Sequence, residues 1–476
     1  MADYIIRQTS GFPYGINWSK NPESILDTEL VQAENCEYNY EDGSLQTVPG
    51  VTIKLDTGQS VDTLFYDNRH EVFYFSSGVN LYVTADMATY NLIGTLTGTK
   101  KPVYCMFGDI CIVASGGLLQ DISGGSTLQT ISGSLANNDF VTTRVGRVLS
   151  YTTHSDQLSY SAIGDYTSWT NVASDISSAQ FVNVGYKDPG NIIAVDFLSK
   201  AIMIYKEGGR AYKITGEPQD NNYTVDPVSQ TAFCNSSRCT VSVDDKSYYL
   251  GSAGLMSFTP TNAYGDITPF EEGLNINAWI AQNIDSSCEL WHVVNKKQIW
   301  LKTQNDNRIY IYHYIPRYSD GRGAFTVRTF SANLHAVCCV DKNVYVAYGN
   351  KIGILDNSVD TDDNNQIQTA IKGANRLASK HSILVMNRLL VSYNIIQGYG
   401  IIQCGKKIKQ LIFSTNSPYI YGNTAAIYGN TDYIYADAYT RSYKVGGGSN
   451  KNVQLQIIVQ KGAISLRELS YQYLEV

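Results

Sequence analysis

Apolar residues along most of this chain recur at every second position rather than every third or fourth, a period that predicts half-buried strands. VDTLFY (61–66), EVFYF (71–75), NLYV (80–83) and NLIGTL (91–96) are four short runs parted by Asp-Asn, Ser-Ser-Gly and Met-Ala-Thr turns, so they form one antiparallel four-stranded unit. A second unit follows with VYCMF (103–107), ICIVA (110–114), LLQDI (118–122) and TLQTI (127–131). A third opens at FVTTRVGRVLSYTT (140–153) and LSYSAI (158–163), and a fourth at IIAVDFL (192–198), AIMIYKE (201–207) and RAYKITG (210–216). Further strand clusters occupy 240–259, 289–303 with 308–315, and 335–356.

Six or seven small sheets repeating at about 35 to 50 residues predict an all-β fold, a β-propeller, whose radial packing leaves only short sheet edges. An array of β-sandwiches is the competing architecture, since no WD dipeptide or kelch signature recurs. Residues 1–60 are expected to pack on the propeller or on a neighbouring subunit, 61–356 to form the propeller, and 357–476 to form a β-rich platform. The Asp/Asn-rich DNSVDTDDNN (356–365) suggests a linker, and NQIQTAIKGANRLASK (365–380) is compatible with a helix. Strands are expected near 382–395, 406–415 and 453–460, with a tyrosine-rich exposed hairpin or loop over 417–443.

Composition sharpens this picture. Of 476 residues only 17% are charged, against about 25% in an average globular protein, and 36 Tyr outnumber 14 Phe and 5 Trp. With 39 Gly and 11 Pro, the balance favours strands and tight turns and excludes disorder. The net charge of −7 is unevenly spread: residues 1–60 carry 9 acids against 3 bases, and residues 371–476 carry 12 bases against 4 acids. Such opposed charge is read first as scattered solvated residues, with steering of terminus to terminus or protomer to protomer as the sharper alternative. Nine cysteines without a C-x-x-C pair suggest buried thiols in a reducing compartment. The N-terminal residues carry no leader pattern and no stretch reaches 18 apolar residues, so no stable membrane insertion is expected.

Signals for catalysis are sparse. The six histidines lie far apart, with no H-E-x-x-H, G-x-S-x-G or phosphate-cradling glycine loop. In HAVCC, His335, Cys338 and Cys339 are ligand-capable, but adjacent cysteines on a strand point to opposite faces. Cys234 and Cys239 lack a second pair, and Asp356, Asp360, Asp362 and Asp363 lack the Gly and terminal Glu of an EF-hand. SYSAIGDYTSW (159–169) resembles a sialidase-type Asp-box only in placing Asp165 and Thr167 before Trp169, and it occurs once. No catalytic residue, metal ligand or cofactor is assigned.

One resemblance extends over much of the chain. AENCEYNYEDGSLQTVPGVT (33–52), carried by Asn35, Gly43, Pro49 and Gly50, resembles the opening of many phage tail proteins. GRVLSYTTHSDQLSYSAIGDYTSWTNV (146–172), with Arg147, Ser161, Asp165 and Trp169, is similar to their central pattern. Residues 192–216, including Gly208, then 228–259, 296–327 and 344–356 continue in the same order; Phe325 stands where Trp is usual. Together these resemble the tail-nozzle or tail-hub proteins of short-tailed bacteriophages, a group that includes packaged-DNA stabilisation proteins. The resemblance implies a β-propeller protomer in a homohexameric ring, a structural virion protein and no enzyme, and it places the protein in the tail after assembly in the host cytoplasm. Its partners would be the head-to-tail adaptor ring, distal tail proteins (needle, plug, fibre or spike) and, transiently, double-stranded DNA. Lys406, Lys407 and Lys409, with Tyr419, Tyr421, Tyr433 and Tyr435, are the candidate interface. The alternative is a tail propeller that binds or hydrolyses host-surface glycans.

Overall fold

Each four-strand run folds into one small antiparallel sheet, and the computed structural model arranges these as blades around an axis. It describes residues 5–9, 12–41, 43–218, 223–260, 267–315, 317–377, 384–394, 397–404, 407–414, 439–444, 452–461 and 465–475. Blade 1 runs from Thr63–Asp67 to Asn91–Thr95, blade 2 from Val103–Phe107 to Thr127–Thr130, and blade 3 from Asn138–Arg144 to Gln180–Asn183. Blade 4 runs from Ile192–Leu198 to Thr224–Ser229, blade 5 from Thr240–Val243 to Ile267–Phe270, and blade 6 from Glu289–Val293 to Ala324–Thr329. Blade 7 takes three strands from Leu334–Val340 to Lys351–Asp356 and its fourth strand, Gly50–Asp56, from far upstream. The first strands of blades 4 to 7 neighbour one another in turn, as do those of blades 2 and 3, and that of blade 7 meets that of blade 1, which closes a ring of seven.

Sheets stacked in this way bury both faces, which accounts for strands that are apolar on consecutive residues. Ala201–Lys206 is buried throughout. Its Lys206 spends the ammonium on the Val184 carbonyl at 2.7 Å. The seams between blades are the core: Leu149, Leu158 and Tyr160 of blade 3 pack against Ile202, Ile204 and Tyr212 of blade 4, and Trp300 and Ile311 of blade 6 against Val346 and Tyr348 of blade 7. Full burial of one such side chain stabilises by about 1.5 to 3 kcal/mol.

The C-terminal region is more than a domain laid on the propeller. Blade 6 continues through Leu30–Glu34 into Thr369–Leu377, Asn452–Lys461, Gln397–Cys404 and Lys407–Ser414, giving one nine-stranded sheet. A second sheet joins Cys36–Tyr38 and Leu45–Thr47 to Ser465–Glu475, Leu384–Asn394 and Tyr439–Lys444, with Ile5–Thr9 on Ser465–Glu475. Residues 5–56 thus lend strands to three sheets.

Two expectations are corrected. The helix-compatible 365–380 stretch contains a strand, Thr369–Leu377, because Leu30–Glu34 and Asn452–Lys461 flank it and supply its backbone partners. The expected linker at 356–365 is built into blade 7: Asp362 pairs in parallel with Val51, and Thr361 and Asp362 pair with Gln366 and Asn365. Its acids are spent separately, Asp356 accepting from Thr52 at 2.9 Å, Asp362 from the Ser331 N–H at 2.7 Å and Asp363 from Lys351 at 2.6 Å.

Candidate functional surfaces

The residues singled out in the sequence occupy joints. Asn35 sits in the left-handed region (φ 53°), a conformation that Asn tolerates better than other side-chain-bearing residues. From there its Oδ1 accepts the Thr329 N–H of blade 6 at 2.8 Å, and its Nδ2 donates to the Gln368 carbonyl at 2.9 Å. Its own carbonyl accepts from the Thr369 hydroxyl and the Val48 N–H. One side chain thus ties blade 6, the N-terminal segment and the platform together. The Pro49 carbonyl accepts from buried Arg328 at 3.0 Å. Gly50 begins the closing strand so tightly that an added Cβ would stand 2.5 Å from the Val359 oxygen and 2.6 Å from that of Thr361. Gly43 (φ 73°) turns beside Arg317, and Gly208 (φ 74°) makes the turn between two strands of blade 4.

In blade 3 the segment between the third and fourth strands is long, and Arg147 pins it. The guanidinium is buried and donates to the carbonyls of Ser161, Ile176 and Ser178. Ser161 returns a hydroxyl contact to the Val148 N–H at 3.0 Å. Asp165 accepts from the Thr167 hydroxyl and N–H, which hold its carboxyl below the usual range. Trp169 donates to the Tyr166 carbonyl and fills the seam between blades 2 and 3. Phe325 is buried against Tyr312, and its carbonyl accepts the Ile16 N–H.

Among the described residues the thiols are dispersed into packing, as is the His313 imidazole. Cys338 contributes to the seam between blades 7 and 1 and Cys339 to that between blades 6 and 7, as alternate pleats require. Burial raises the pKa of both thiols and of Cys234. Burial also drives His313 down to about 3, which leaves a neutral ring on the Thr326 hydroxyl. Of the candidate interface, Lys406, Tyr419, Tyr421, Tyr433 and Tyr435 lie outside the described residues; Lys407 and Lys409 belong to the last strand of the nine-stranded sheet.

Two features had no sequence signal, because they depend on residues distant in the chain. First, the axis is spanned at one rim. Lys101, leading into blade 2, donates to Glu289 of blade 6 and to the His335 carbonyl of blade 7, while Arg238, leading into blade 5, donates to the Pro102 carbonyl. Burial lowers Lys101 to about 8 against the pull of Glu289. Second, a cleft of about 750 Å³ opens between blades 6 and 7 and the 37–49 segment. Its floor holds buried Glu37, which burial would raise but which Lys296 and Gln298 hold low. Its rim carries Tyr40, Lys342 and Asn357.

No family profile matches the chain, and no curated protein does. Similar solved structures include the extracellular domain of the BT4673 system from B. thetaiotaomicron, at 10% identity and a TM-score of 0.47, covering 93% of this chain and 64% of that one. The chain thus spans less than two thirds of that structure's length. Others are the WD40 β-propeller domain of Doa1 (12% identity, TM-score 0.41, 64% of this chain and 96% of that one) and BamB from Moraxella catarrhalis (10%, 0.40, 67% and 92%). None of these likenesses carries over a function.

Proposed function

We propose that this chain is the repeating subunit of the ring-shaped nozzle or hub of a short phage tail, joining the head-to-tail adaptor to the distal tail and lining the passage for the genome. The observation that carries the reading is where the resemblance-bearing residues fall. Asn35, Pro49, Gly50, Arg147, Ser161 and Trp169 hold blades, closing strand and platform in register, and the two that also border clefts, Pro49 and Asn35, bring no charged or nucleophilic side chain to them. Shared residues of that kind suit a family whose common property is architecture and not chemistry. Since Lys101 and Arg238 cross the propeller axis, the duplex in this reading passes through the lumen among six copies, not through any one propeller. An acidic chain suits such a passage, because each Lys or Arg contact to phosphate would add affinity and retard ejection.

Electron microscopy of the purified chain, alone and with an adaptor ring, tests this reading. A six-fold ring with a duplex-wide hole is the expected image, and monomers in both samples would overturn it. The second reading, glycan binding, is favoured by the cleft, where Tyr40 is 50% exposed and amides surround it. Binding of host polysaccharide that is lost in Tyr40→Ala would favour it over the first.

A further inference from the structure

Exposed apolar residues are concentrated on one blade. Five of the fourteen exposed large hydrophobics among the described residues belong to blade 3: Val145 (58% exposed), Ile163, Val172, Ile176 (63% exposed) and Phe181. Scattered singly, such residues are ordinary; gathered together, they mark an interaction surface. Val145, Ile163, Val172 and Ile176 are brought together, since the Ile163 N–H donates to the Ser177 carbonyl, the Gly164 N–H to the Gly146 carbonyl and the Val172 N–H to the Ser178 hydroxyl. Arg147 fixes the backbone beneath them through three carbonyls, so the patch is presented on a rigid support and little ordering entropy is lost when it is covered.

Charge and position identify what covers it. Residues 154–186 hold three acids, Asp156, Asp165 and Asp175, and no Lys or Arg. The strongly basic part of the same chain is 371–476. That region continues the sheet of blade 6, and blade 3 lies as far from blade 6 as a ring of seven permits. The acids of the N-terminal segment that touch this joint are turned to other work: Glu29 accepts from Asn17 and Tyr318, Glu34 from Thr329 and Glu37 from Lys296. None of these bonds goes to a Lys or Arg of 371–476.

We infer that blade 3 of one copy docks on the C-terminal platform of the next copy. The inference rests on the ring reading and supplies its interface. Two different surfaces on opposite sides of one protomer make a heterologous contact, and repeated head to tail such a contact generates a ring when the rotation closes. Apolar side chains supply the buried centre of the contact, and the acid-to-base pairing fixes its orientation.

The test uses the full chain, with mass measured by light scattering and analytical ultracentrifugation over a range of concentrations. The Val145→Asp, Ile176→Asp double variant alters only exposed side chains and should melt as wild type does, yet its assembly should require at least tenfold more protein. Zero-length carbodiimide cross-linking of wild-type assemblies should join Asp165 or Asp175 to lysines of 371–476 on another copy. Assembly of the double variant at wild-type concentrations, or cross-links confined to blade 3 on blade 3, would overturn the docking while leaving the ring reading intact. Wild-type chain that stays monomeric throughout would overturn both.

Discussion

Replacing Asn35 separates the conformational from the bonding contribution at the joint between propeller and platform. Asn35→Ala removes the acceptor for the Thr329 N–H and the donor to the Gln368 carbonyl, two hydrogen bonds worth about 1 kcal/mol each. It also forces an alanine to keep a φ of 53°, at a further cost of about 1 kcal/mol. The total is about 3 kcal/mol. Asn35→Gly keeps the backbone conformation and loses only the bonds, so it should cost about 2 kcal/mol. Asn35→Asp keeps the acceptor for Thr329 but sets a carboxylate oxygen against the Gln368 carbonyl, and should cost at least as much as Ala. Urea titration followed by tryptophan fluorescence ranks the three, and amide exchange at Thr329 reports the lost bond directly. Equal loss in Ala and Gly would refute the backbone argument, and unchanged Thr329 protection in all three would refute the bonding argument.

Gly50→Ala should cost about 2 kcal/mol or more, because the new methyl meets two backbone oxygens that cannot move aside, whereas Gly208→Ala faces open space and should cost only about 1 kcal/mol for its positive φ. Thermal melts of the pair check the ranking, and a reversed order would sink it. Asp196, buried beneath the hydroxyls of Ser242 and Ser247, is pushed up to about 6 by burial. The folded chain therefore holds a proton that the unfolded chain releases near pH 4, so this group's contribution to stability falls by up to about 3 kcal/mol as pH rises through that window. Asp196→Asn should escape the loss, and a stability difference from wild type that stays constant from pH 4 to 7 in urea titrations would contradict the assignment.

Local order was legible in the chain and distant pairing was not. Alternation and turn residues located blades 1 and 2 strand by strand, because each is a meander whose neighbours in sequence are neighbours in space. Gly50–Asp56 belongs with Lys351–Asp356, some three hundred residues away, and nothing in its own alternation names that partner. The 365–380 stretch failed for the same reason: its strand is dictated by flanking backbones, and tertiary pairing overrides weak helical propensity. The residues of the resemblance were legible as positions but not as roles. That Asn35 bridges three parts of the chain becomes visible only once Thr329 and Gln368 are brought beside it. The blade 3 patch was not singled out because Val145, Ile163, Val172 and Ile176 follow no period; they are gathered by a segment that Arg147 ties down.

The closing strand also sets a timetable for synthesis. Gly50–Asp56 leaves the ribosome early, yet the blade that receives it is completed only when residues 334–356 have been made. At about 5 to 20 residues per second, the roughly 280 residues between them take about 15 to 55 seconds to translate. Through that interval the first-made segment is among the last to fold, and its backbone N–H and C=O groups stand open to any other strand nearby. Leu30–Glu34 waits nearly as long for blade 6 and longer for Thr369–Leu377. A crowded polysome is therefore the setting in which this chain is most exposed to pairing with its siblings, and slowed translation or a holding chaperone would be felt first in the yield of closed rings of blades.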